Sequence, residues 1–108
     1  MFLMRTPMKL KLFKLRLKYS KNLVKCVADI QNRIIIADCN LHLDGEDWLC
    51  DMGSESRYIW GFYYNIREQE LEYEAMTNFK SNYGNRSEVI QDPILRDKIR
   101  LLVSDLFI

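Results

Sequence analysis

The spacing of apolar residues changes character along this chain. Over residues 8–18, Leu10, Phe13 and Leu17 form one helical stripe, and Leu12, Leu15 and Tyr19 form a nearly opposite one. A strand reading is interrupted where Phe13 meets Lys14. Thr6 and Pro7 stand just ahead, a hydroxyl that can cap free amides and a ring whose φ suits a first turn. The pattern therefore predicts a helix here, preceded by a short edge strand in "FLMR" (2–5). A second helix is predicted after Ser20 and Asn22, because Leu23, Val27, Ile30 and Ile34 recur at helical spacing with Val24 alongside. It fades near Ala37.

The period then shortens to two. "NLHLD" (40–44) alternates, "DWLC" (47–50) continues apolar, and "DMGSES" (51–56) is a turn around Gly53. "RYIWGFYYNI" (57–66) is rich in aromatic residues and free of proline, the composition of a strand. After the tight connection "REQE", the stretch 71–79 alternates again. Leu71, Tyr73, Ala75 and Thr77 point one way, and Glu70, Glu72 and Glu74 the other, one face to core and one to water. Asp92 and Pro93 then cap and open a helix with Leu95, Ile99, Leu102 and Leu106 along one side. The sum is an α+β fold, an antiparallel sheet of three to four strands packed against two to three helices.

Composition narrows this further. At 108 residues, 48% hydrophobic and 29% charged, the chain has room for one domain, 1–108, with a core of its own. Three cysteines, Cys26, Cys39 and Cys50, share no metal-ligand spacing and read as reduced thiols, which points to a cytoplasmic protein. No run approaches the ~18 apolar residues of a membrane span, and Arg5 and Pro7 come too early for a signal peptide, so no membrane partner is expected. The net charge of +1 conceals a division. Before Asp29 there are eight basic residues and no acidic ones; from Asp29 onward there are eight basic and fifteen acidic, a net of −7. Such a basic end can steer nucleic acid, through Lys9, Lys11, Lys14, Arg16 and Lys18, or a membrane surface to one side, or can be a solvated face.

Few residues carry candidate chemistry. His42 is the only histidine, and on a strand it shares a face with Asp44, whose carboxylate would orient the ring and raise its pKa. A lone histidine without a second ligand at metal spacing does not predict a metal site. In "SNYGNRSEVIQDP" (81–93), Gly84 and Asn85 tolerate positive φ, so that successive amides can converge on an anion, with Arg86 as a two-pronged donor and Ser87 as a further one. The structural alternative is a strand-to-helix corner in which Arg86 pairs with an internal acid such as Asp44. Tyr58, Trp60, Phe62 and Tyr64 share one strand face, which would stack bases if exposed and form core if covered. Gly61 in that strand suggests a bulge or a close backbone approach. Cys39 and Cys50, surrounded by acids, read as inert. Neither a nucleotide-binding P-loop nor a nucleophile beside a base is present, and no cofactor is predicted.

Five blocks, "LVKCVADI", "LHLDG", "YIWGFYYNI", "GNRS" and "DPILRDKI", occur in the order and spacing of a small bacterial family known only as a domain of unknown function. The chain resembles that family's K-A-V-V-D-I, E-L-H-A-D, W-G-I-N, G-N-R-S and D-P-x-I-R-x-K-I over nearly its whole length. It departs from the pattern at Asp38 and Cys39, where the family has paired glycines. Lys80 stands for an arginine and Ser81 for a proline, and the first helix is more basic. The resemblance implies no activity.

These observations together predict a non-catalytic binding module for a small anion or an acidic protein group. Its site would be Gly84, Asn85, Arg86 and Ser87 beside His42 and Asp44. A hydrolase or lyase with His42 as general base and Asp44 as orienter is the alternative, and nucleic-acid binding a further one. An edge at "FLMR" would allow a homo-oligomer.

Overall fold

Eight regular elements alternate along residues 1–108, all of which the computed structural model describes. They are β1 (Phe2–Met4), α1 (Leu10–Leu15), β2 (Leu23–Asp29), β3 (Ile34–Ala37), α2 (His42–Asp51), β4 (Ile59–Asn65), β5 (Glu70–Glu72) and α3 (Pro93–Leu106). Single 3-10 turns, Ser56–Tyr58, Met76–Asn78 and Ser81–Tyr83, shape the connections. The strands make one antiparallel sheet in the order β1-β3-β2-β4-β5. The α+β class follows as expected, with one strand more than the expected upper number.

Both faces of the sheet are covered. On one, Val24, Cys26, Ala28, Ile35, Trp60, Phe62 and Tyr64 pack with Phe13 of α1 and with Ile99, Leu102, Val103 and Leu106 of α3. Phe13 anchors this layer, edge-on to Phe2 at 5.4 Å and to Phe107 at 4.6 Å between ring centroids. On the other face Val27, Ile34, Ile36 and Ile59 meet Cys39 and Leu49 beneath α2. The aromatic stripe of β4 is therefore core, and Trp60, Phe62 and Tyr64 have no exposed ring to stack on a base.

Of the strand expected over 71–79 only Glu70–Glu72 forms, and three further segments differ in kind from the pattern reading, each for a physical reason. The helix expected after residue 20 is the β2–β3 hairpin. Val24, Cys26 and Ala28 do alternate with Lys25, Val27 and Asp29, but a strand buried on both faces is apolar on both, which erases the period-two signature. Asp29 makes the turn: its buried carboxylate accepts from the amides of Gln31 and Asn32, from Asn32 Nδ2 and from Ser54 Oγ, and Arg33 takes a left-handed φ of 56°. Burial alone would raise that carboxyl's pKa, but the four hydrogen bonds outweigh it and hold the group below its ordinary value.

The helix expected from Pro7 is shorter and starts later, with Lys9 as its N-cap. Met8 cannot be helical because its backbone lies against the end of α3, its amide donating to Leu106 O (2.7 Å) and its carbonyl accepting from Ile108 N (2.9 Å). The strand expected over 40–44 is the first turn of α2. Asp44 sits at its third position and accepts from the Leu41 amide, one half of a capping box. His42, Gly45 and Leu49 are its buried stripe.

The outer edge of β4 decides how the rest of the chain is held. β5 pairs only with Tyr63, Tyr64 and Asn65, which leaves the edge open at Ile59 and Gly61. Side chains close it. The Asn78 amide accepts from Gly61 N and donates to Gly61 O, both at 2.8 Å, as a neighbouring strand would. Lys80 Nζ donates to Ile59 O at 2.9 Å and pairs with Glu46 at 2.6 Å, the two side chains only 8% and 13% exposed.

Asn78→Ala should therefore leave two buried backbone groups without partners and cost about 3 kcal/mol in urea unfolding. Arg86→Ala, on the same segment but exposed, should stay within about 0.5 kcal/mol of wild type. Equal effects of the two substitutions would refute the edge-closing role of Asn78.

Candidate functional site

The loop 84–87 is built from the inside by Asn85. Its side-chain Nδ2 is shared among the carbonyls of Asn78 (2.8 Å), Ser87 (2.8 Å) and Val89 (3.1 Å), and its Oδ1 accepts from Gln91 N (2.9 Å). Gly84 takes the left-handed φ of 82° that the turn requires. The amides of residues 84, 85 and 86 donate to Ser81 O, Lys80 O and Gln91 Oε1, and Ser87 Oγ accepts from Val89 N. The amides of residues 84, 85 and 86 thus already have protein acceptors and do not converge as free donors on an anion. Arg86 is exposed and forms no ion pair, with Asp44 or any other acid. Its guanidinium carries the free charged donors of the loop, with the Ser87 hydroxyl hydrogen beside it.

His42 lies elsewhere, at the start of α2 and over the middle of β4. A groove of about 610 Å³ runs between α2, β4 and the segment 74–77, with His42, Tyr63, Ala75 and Thr77 along it, Leu41, Leu43 and Met76 at its apolar lips, and Lys25, Glu74 and Glu88 as its charges. Arg86 does not line it. The groove at His42 thus includes Glu88 and not Arg86. Asp44 is not on the ring's face either. On a helix, residues two apart point in different directions, and the Asp44 carboxylate is occupied with the Leu41 amide.

The histidine is oriented instead by backbone. Nε2 lies 2.9 Å from Phe62 O. A carbonyl can only accept, so Nε2 carries the proton, and in the neutral ring Nδ1 is the free lone pair. Nδ1 has no partner within the protein, and it is not sealed from solvent. The Tyr63 ring stands edge-on to the imidazole at 4.9 Å. Gly61 makes the room: a Cβ there would come within 2.6 Å of Ala75 Cβ and 3.1 Å of His42 Cδ2. The glycine in the aromatic strand is thus a close approach, one of the two readings its position allowed.

The electrostatics reverse the expected direction. Burial foremost pushes the His42 pKa below its ordinary value, against the bond to Phe62 O, and the nearby Lys25 charge pushes it the same way. The ring is therefore neutral near pH 7. Burial also raises the thiols, Cys39 to about 12 and Cys26 well above its usual range, and raises Cys50 in the company of Glu46; all three stay protonated. Among all residues no group of three His, Cys, Asp or Glu side chains is placed to hold a metal ion. No helix is long and apolar enough to cross a membrane.

The sequence matches, over residues 3–106, the family described as "Protein of unknown function (DUF5674)", and the chain belongs to that family. No curated protein and no solved structure matches it.

Because the folded His42 pKa lies below the unfolded value near 6.5, the unfolded chain binds the extra proton, so stability rises with pH through that window. His42 contributes fully above about pH 6.5 and progressively less as pH falls through its folded pKa. Urea melts between pH 5 and 8 should show this slope in wild type and a shallower one in His42→Gln, which keeps a donor for Phe62 O and does not titrate. Identical slopes would show that His42 titrates as in the unfolded chain.

Proposed function

We propose that this chain is a small non-catalytic binding protein whose ligand lies in the groove beside His42. The ligand would present a hydrogen-bond donor to Nδ1 and an apolar body to Leu41, Leu43 and Met76. One observation carries the reading: a histidine only 8% exposed, its tautomer locked by Phe62 O, keeps an unpartnered acceptor toward solvent. The charges support a donor over an anion. Glu74 and Glu88 are both exposed at the groove, whereas Lys25 already donates to Asn40 O at 3.1 Å. A protonated amine satisfies His42 and the glutamates together; a carboxylate or phosphate would face two like charges. Arg86 is left as the separate candidate for an acidic group. Three unpaired thiols fit a reducing, cytoplasmic setting.

A hydrolytic reading rests on the same atom. Nδ1 is an unprotonated base at neutral pH, with Phe62 O in the orienting role first assigned to Asp44. The groove has no arginine to stabilise an oxyanion, so binding is the better supported reading.

Amide correlation spectra, recorded with alkylamines, alcohols, carboxylates and phosphate in turn, separate these sites. Alkylamines should shift His42, Tyr63, Ala75 and Thr77. His42→Leu, which leaves no side-chain acceptor there, should weaken that binding about tenfold, the equivalent of one hydrogen bond to a charged donor. Anions shifting residues 84–87 while amines shift nothing would move the site to Arg86 and end the groove reading.

A further inference from the structure

The basic N-terminal segment is unpaired in the folded protein. Arg5, Lys9, Lys11, Lys14, Arg16, Lys18 and Lys21 are all exposed, and none of them takes part in an ion pair. The remainder of the chain, net −7 from Asp29 onward, therefore does not neutralise them through contacts. Seven cations are left on one segment of the surface.

The helix α1 gives this segment a second property. At about 100° per residue, Lys14, Lys11, Leu15 and Leu12 fall in that order across the side of α1 opposite the fully buried Phe13. Leu12 is 53% exposed and Leu15 80%, and Tyr19 follows at 49%. Leucines outward beside lysines gain nothing from water and nothing from a phosphodiester backbone. Arg5 and Lys9 also border a hollow of about 420 Å³ together with Met8 and Leu12, roomy enough for a phosphate-bearing headgroup.

From this arrangement we infer that the outward face of α1 docks on an anionic phospholipid surface, the lysines on the headgroups and Leu12 and Leu15 among the outermost acyl carbons. Charge complementarity selects the occupant. A second copy of this face would bring seven cations against seven, which excludes self-association through it. Nucleic acid would use the charges but leave the leucines in water, and the aromatic side chains that would stack its bases, Trp60, Phe62 and Tyr64, are inside the core. A lipid interface uses both components, as basic faces with interspersed apolar residues do at membranes. The absence of a spanning helix does not bear on such docking, which needs only surface. The acidic remainder orients the molecule, its repulsion from the same lipids leaving α1 as the face of approach.

Sedimentation of the full chain with vesicles tests this. The protein should bind vesicles in which one third of the phosphatidylcholine is replaced by phosphatidylserine, and should not bind phosphatidylcholine alone. Binding should fall at least tenfold in Lys11→Glu with Lys14→Glu, and severalfold in Leu15→Gln, which leaves every charge in place. The high exposure of Leu15 predicts an unchanged melt for that variant, and the melt serves as its folding control. Two results would overturn the proposal: no binding to the serine-containing vesicles, or vesicle binding that Leu15→Gln leaves unaltered. In the latter case equal binding to single-stranded RNA would show the face to be a general polyanion site.

Discussion

The structure turns on an edge that has no strand to cover it. Five of the seven residues of β4 are buried, and its outer backbone groups at Ile59 and Gly61 would be orphaned in the interior if β5 were their only neighbour. Asn78 and Lys80 supply the missing partners from side chains. A primary amide carries one acceptor and two donors in a plane, which matches the N–H and C=O of one extended residue; the bonds to Gly61 are both 2.8 Å. Closing an edge in this way also removes it as a template for another chain.

That constraint positions both candidate sites. Pinning Asn78 to Gly61 draws the turn Met76–Asn78 over β4, which sets Ala75 and Thr77 against the glycine and completes one wall of the groove. The same glycine also admits the imidazole, so one missing Cβ serves the closed edge and the histidine together. The Asn78 carbonyl in turn accepts from Asn85 Nδ2, and Asn85 Oδ1 holds Gln91 N, so the polar chain runs from the sheet to the approach of α3. The loop 84–87 turns its corner because Asn85 faces inward. What the loop leaves outside is Arg86.

Local signals were legible in the sequence where they had one cause. The Asp92 cap, whose carboxylate accepts from Ile94 N, the proline behind it and the apolar side of α3 all follow the pattern, as do β4, the edge strand at residue 2 and the turn at Gly53, which has a φ of 97°. Leu71, Tyr73, Ala75 and Thr77 are shielded while Glu70, Glu72 and Glu74 are exposed, although only Glu70–Glu72 is strand. The misread segments are those where tertiary contacts decide. β2 and β3 are apolar on both faces and so lack a period. α2 begins at a leucine without a capping side chain, and only the acid at its third position, Asp44, announces it. The error at α2 carried over to the site, because the supposed shared face of His42 and Asp44 existed only on a strand. The partner that replaced Asp44, a backbone carbonyl twenty residues away, has no sequence signature at all.

Lys80 shows how such a non-local role limits the choice of residue. Its ammonium has three N–H donors on a tetrahedral centre, and the partners around it come from three directions: Glu46 Oε1 on α2, Ser56 O and Oγ (2.8 and 3.1 Å) on the 3-10 turn, and Ile59 O on β4. The Trp60 ring lies 5.3 Å from the nitrogen as well. A planar guanidinium offers its five donors in a flat fork, so it would meet the same groups through a different geometry. The lysine is thus a junction between three elements, and its charge is neutralised inside the protein by Glu46. The Arg86 side chain, six residues on, has neither a hydrogen-bond partner nor a counter-charge. Two cations of one segment are thereby divided: the first holds the scaffold, and only the second is free to meet a partner.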